Sequence, residues 1–244
     1  GALNVTTSGN ITQLGGALVI SGLTTLTPGS TNNITLSNAT NDFSTITITN
    51  GNNATLRDAN TLTMGTSAVT NTLNITGGTA ILQSGTLTGA TLIAKTRSAS
   101  TAPITLTDPA NEFSSINLQA RNVADTANAA GAITYRNATG FNLATIATTS
   151  TINLTAGGTI TDSGNIAGTT LTTNSAGGTV LDFGSNLTGF NATNTTSGNI
   201  QLTNTGNLSI TSISQVGGGD VIVSNTGTTA ITGAVNTGTG NLML

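Results

Sequence analysis

Aliphatic and hydroxyl-bearing residues alternate along much of the chain. Ile46 and Ile48 stand between Thr45, Thr47 and Thr49, and the same spacing returns at Ile34 and Leu36, Leu62 and Met64, Ile104 and Leu106, Ile116 and Leu118, and Ile152 and Leu154. A period of two sends successive side chains to opposite faces of a strand, so the pattern predicts short strands with aliphatics inward and threonines outward. Between them lie Gly- and Asn-rich stretches such as "NGNN", "GG" and "TGTG", which favour tight turns. Strands this short cannot each bury a core alone and need stacked neighbours. The expected fold class is all-β, with little for a helix to build on.

Sliding the sequence over itself exposes long-range repetition. Leu3-Asn4-Val5-Thr6 returns as Leu73-Asn74-Ile75-Thr76, Ile11 and Gln13 as Ile81 and Gln83, Ile34-Thr35-Leu36 as Ile104-Thr105-Leu106, and Phe43 as Phe113, each at an offset of 70 (73 − 3). After Gln119 the offset becomes 79, so that Asp58-Ala59 matches Asn137-Ala138 and "TLNITGG" at 72 matches "TINLTAGG" at 151. The stretch "NVADTANAAG", residues 122–131, has no counterpart in the first unit and is expected to protrude as a loop. A third unit places Ile160 opposite Ile81, Leu181 opposite Ile104 and Phe190 opposite Phe113, and a fourth begins near Val221. The units are approximately 1–71, 72–150, 151–219 and a truncated 220–244. Each divides into roughly three solenoid coils of about 20 to 25 residues, giving about ten coils and a rod near 50 Å at the spacing of paired strands.

Composition changes the picture mainly by exclusion. The chain is 36% hydrophobic but only 5% charged and 2% aromatic, with a net charge of −3. Disordered chains combine low hydrophobicity with high net charge, so an ordered, nearly uncharged surface is expected. With no Cys and no His, disulfides and thiolate metal sites are excluded, and the usual general base is missing. Five Lys and Arg make no basic field for nucleic acid. No apolar run approaches the roughly 20 residues that span a bilayer. The opening "GALNVTTSGN" has neither an initiator Met nor a basic signal-peptide start, so the chain reads as a soluble excerpt.

The succession "LNVTTSGNITQ", "LVISGLTTLT", "NNITLSNATNDFSTITI" and "ATLRDANTLTMG" resembles the repeats of filamentous-haemagglutinin-like exoproteins, giant bacterial surface proteins exported by two-partner secretion. The first unit fits best, the second departs after Gln119, and the third loses the Asn-Asp/Glu-Phe signature. The resemblance implies a right-handed parallel β-helix that is the structural shaft of an extracellular adhesin or surface filament. It implies no enzyme activity, no cofactor, and association with itself or with a host or neighbouring cell surface.

Candidate chemistry concentrates in the second unit. Lys95, Arg97, Arg121, Asp125 and Arg136, with Asp108, Glu112 and the only tyrosine, Tyr135, form its least uniform surface. A catalytic site there would need converging carboxylates at a defined separation. Solvated turns around an inserted loop are the simpler reading, with a contact surface as the functional one. Asp220 after Gly217-Gly218-Gly219 belongs to no tandem calcium-binding array and reads as a turn. Asn-X-Ser/Thr sequons occur only slightly more often than composition predicts. Thr-x-Thr pairs raise ice binding as the alternative function, weakened because Thr45 and Thr47 become Ser115 and Asn117 one unit later. Phe43, Phe113 and Phe190 are expected inside, each beside a solvent-facing turn residue: Asp42, Glu112 and Gly189.

Overall fold

The chain alternates between two faces from end to end. The computed structural model describes residues 1–244 and contains strands and turns with no helix. A first sheet starts with Leu3–Thr6 and a second with Ile11–Thr12; each has thirteen strands, twelve of them stacked in succession. Neighbouring strands pair in parallel, since the chain reaches every strand of a sheet from the same direction after visiting the other sheet. The result is a parallel β-solenoid of about twelve coils, two more than the sequence suggested. Several coils fall within the expected length, such as the 21 residues from Leu3 to Thr24, and others are tighter: register advances 19 residues from Ile133 to Ile152, again to Leu171, and again to Phe190. Twelve stacked strands at about 4.8 Å make a rod about 53 Å long.

Parallel sheets are usually covered on both faces and read as unbroken apolar runs. Here the inner faces meet each other while the outer faces meet water, which is why the sequence alternates. Forty-five buried apolar residues form one continuous core. Ile46, Ile48, Ile116 and Ile152 are fully buried, and Ile46 lies in register between Thr24 and Met64. Burying each such side chain is worth about 1.5–3 kcal/mol. Backbone groups find partners on the coils above and below, leaving the flanks to turns.

The sequence repeat does not equal a whole number of coils. Leu3 lies in the first sheet and its counterpart Leu73 in the second; Ile34 lies in the second and Ile104 in the first. Ile152, matched to Leu73, returns to the first sheet. From Leu3–Thr6 to Ile152–Ala156 the first sheet advances seven strands, so two units occupy seven coils and one occupies three and a half.

The insertion leaves the stack as expected. The coil from Ile104 to Ile133 is 29 residues long (133 − 104), ten more than the next. The extra residues form a loop closed by an antiparallel bridge between Arg121 and Asn128, with Asp125 at the left-handed φ of 61°.

Candidate functional site

Four of the six residues proposed as a contact surface come together, and two do not. Lys95 and Arg97 lie on strand Thr91–Arg97 and Arg121 ends Ser115–Arg121, the next strand of the second sheet, with Arg97 and Arg121 in register. Asp125, on the inserted loop, accepts from Lys95 Nζ at 2.8 Å and from Arg121 Nε at 3.2 Å. Burial pushes the Asp125 carboxyl up, but the hydrogen bonds from Lys95 and Arg121 outweigh it and hold the carboxyl below its ordinary value. These pairs are partly exposed, so each is worth about 0–1 kcal/mol.

Arg136 is exposed on the first sheet, away from this cluster. Tyr135 is no surface residue at all: it is 1% exposed, its ring packs edge-on against Phe141 at 5.3 Å, and its hydroxyl donates to Asn137 Oδ1 at 2.6 Å. Period two decides its side, since Ile133, Tyr135 and Asn137 share the inner face. Burial raises the Tyr135 phenol far above its ordinary value, with the Glu112 charge adding to the shift. Arg57 joins the cluster instead, because Arg57 pairs with Thr76 and Thr76 with Lys95 across successive strands. Arg57 and Arg136 occupy matching positions of the repeat, and the half-coil offset sends them to opposite faces.

The corners hold a second set of residues, buried amides. Asn41 is fully buried; its Oδ1 accepts from the Leu18 N–H at 2.9 Å and from Gln13 Nε2 at 2.8 Å, while its Nδ2 donates to Gln13 Oε1 at 2.9 Å. Seventy residues on, Asn111 repeats this arrangement: Oδ1 accepts from the Leu87 N–H at 2.9 Å and from Gln83 Nε2, and Nδ2 donates to Gln83 Oε1 at 3.1 Å. A further corner acceptor recurs as Asp58, whose Oδ2 takes the Phe43 N–H at 2.7 Å, and as Asn137, whose Oδ1 takes the Phe113 N–H at 2.9 Å. Burial pushes the Asp58 carboxyl above its ordinary value despite two backbone donors. These side chains satisfy inward-facing N–H groups where the chain turns between sheets.

Residues 1–50 and 51–119 match a family model described as "Repeats of unknown function (DUF5649)". The two matched stretches follow one another in the first half of the chain. Each DUF5649 match encloses one reciprocal amide pair, Gln13 with Asn41 or Gln83 with Asn111. No curated protein matches the chain, and no solved structure does.

Phe43, Phe113 and Phe190 are all buried, as the repeat predicted. Their neighbours are less uniform. Asp42 is exposed and Glu112 half-buried, but Gly189 is buried within strand Gly189–Asn194, where a Cβ would lie 2.7 Å from Thr170 Oγ1. Asp220 accepts from the Asn241 N–H of the next coil at 2.8 Å. The carboxylates gather nowhere in groups of three or more that would hold a metal ion.

The threonines follow the sheets rather than the sequence repeat. Thr45 and Ser115 lie on opposite sheets, so their difference does not break a face. Along the first sheet, Thr45, Thr63 and Leu82 follow in register; Thr105, Thr134, Asn153, Thr172 and Asn191 form a second in-register run.

Proposed function

We propose that the chain is a non-catalytic shaft segment of an extracellular bacterial adhesin or surface filament. The observation that carries this reading is the pair of parallel ladders running the length of the rod around one apolar core. Hydrogen bonds between coils lie along the rod axis, so tension is shared by many bonds at every coil junction. An outer surface of Thr, Asn and Ser, with 5% charge in the whole chain, presents little for nonspecific attraction. The resemblance to filamentous-haemagglutinin-like repeats supports the extracellular placement, with partners at a cell surface or in further copies of the rod. Antibodies raised against the segment are expected to label intact cells of the source organism. Labelling only after lysis overturns the reading.

A second reading is favoured by the Thr/Asn runs on the first sheet. Such a flat face suits an ordered ligand such as ice, and Leu82 interrupts it near the middle. Thermal hysteresis at micromolar protein, lost on replacing Thr105 and Thr134 with bulky Tyr, supports it; ordinary colligative freezing excludes it.

A further inference from the structure

A cleft of about 310 Å³ opens on the second sheet beside the inserted loop, lined among others by Arg57, Thr76, Gly78, Arg97, Ser98 and Val123. This lies at the small end of the range for ligand sites, about 300–1,000 Å³. Three features set it apart from the rest of a nearly uncharged surface.

Four of the chain's five cationic side chains, Arg57, Lys95, Arg97 and Arg121, stand on nearby strands of this one sheet. Asp125 engages Lys95 and Arg121, leaving Arg57 and Arg97 with no carboxylate within ion-pair distance. Both free arginines line the cleft. The acid in its wall, Asp58, has its oxygens turned to the N–H groups of Phe43 and Asn60, and it forms no ion pair with Arg57.

Arg97 is held in place before any ligand arrives. Its Nη2 donates to the Val123 carbonyl at 2.6 Å, and its Nε is buried without a partner. Val123 belongs to the inserted loop, so the insertion builds one wall of the cleft and fixes the guanidinium there. Thr76 and Ser98 belong to the same lining, the buried Ser98 hydroxyl being bonded to Ser100.

We propose that this cleft binds a tetrahedral oxyanion, sulfate or phosphate, between Arg57 and Arg97. A guanidinium presents several N–H donors in a rigid fork, and charge-assisted bonds to such anions are roughly twice as strong as neutral ones. Two forks lining one cleft match an anion whose oxygens point in several directions. The site is independent of the shaft reading, since either stands without the other.

The test is titration of the intact chain with sodium sulfate and with sodium phosphate at constant ionic strength, read by amide chemical shifts of Thr76, Arg97 and Ser98. Saturable shifts confined to the cleft are expected, weakened about tenfold or more in Arg57→Gln and in Arg97→Gln, the loss of at least one charge-assisted hydrogen bond. Arg136→Gln, on the opposite sheet, is expected to bind like the parent. Arg57→Lys, which keeps the charge and loses the fork, guards against a variant that fails to fold and is expected to bind more weakly. Comparing the two salts shows which source the cleft prefers. Shifts that sodium chloride reproduces, or that persist unchanged in both arginine variants, overturn the proposal.

Discussion

Asn111→Ala removes the side chain on which one corner of the rod depends. In the parent, Asn111 Oδ1 accepts from the Leu87 N–H at 2.9 Å and Asn111 Nδ2 donates to Gln83 Oε1 at 3.1 Å and to the Arg136 carbonyl at 3.3 Å. Leu87 and Asn111 are both fully buried, so water cannot replace what is lost. An unpartnered buried N–H costs about 1–3 kcal/mol, and each broken amide bond to Gln83 adds about 1 kcal/mol. The sum is about 3–5 kcal/mol, a large share of a domain's usual stability.

Urea denaturation gives the total, and hydrogen exchange of the Leu87 amide shows whether the loss is local to that coil. The cycle with Gln83→Ala is the sharper measurement. Because Gln83 and Asn111 bond reciprocally, the double variant is expected to be about 1–2 kcal/mol less destabilised than the two single losses combined. Thr105→Ala, on the outer face, serves as the control and is expected to change stability by no more than about 0.5 kcal/mol. A loss below about 0.5 kcal/mol for Asn111→Ala, with simple additivity, refutes a structural role for the amide pair.

Ile116→Asp places an unpaired carboxylate among fully buried neighbours and is expected to cost about 3–5 kcal/mol in urea denaturation; an unchanged midpoint contradicts its burial. Tyr135→Phe removes the 2.6 Å hydroxyl bond to Asn137 but leaves the Phe113 N–H on the same oxygen, so a loss of about 1 kcal/mol is expected in the same assay. Asp58 has a raised folded-state pKa, so its contribution to stability is greatest below the ordinary carboxylate value of 3.8 and declines as pH climbs through the folded value. In thermal melts across pH, Asp58→Asn is expected to gain on the parent as pH rises from about 3.8; a pH-independent difference between the two contradicts the assignment.

Much of the fold was legible because period-two alternation reports directly on which side of a strand a residue faces. Ile46, Ile116 and Ile152 needed nothing else to be placed inside. Coil length was less legible, since Gly and Asn turns mark corners without saying how many residues each corner consumes. The site was read only in part. Lys95 and Arg97 are close in sequence, as are Arg121 and Asp125, but the register of successive strands joins the two pairs and brings Arg57 to them. Tyr135 was misplaced by its charged neighbours, although its alternation with Ile133 already pointed inward. In "ATNDFSTITI" and "PANEFSSINL" the eye goes to Asp42 and Glu112, yet the unchanged Asn41 and Asn111 make the inward contacts. The return of Gln13 as Gln83 at the same offset was the signal that linked them.

A unit of three and a half coils gives the rod an approximate twofold screw. Moving one unit along the chain carries a residue to the other side of the shaft and about 17 Å further on, taking 4.8 Å per coil. Duplication of such a unit therefore decorates both sides with one sequence, where a unit of three or four whole coils would have left two unrelated sides. The match is one of backbone and inward residues, since Arg57, Lys95, Arg97 and Arg121 all stand on one side.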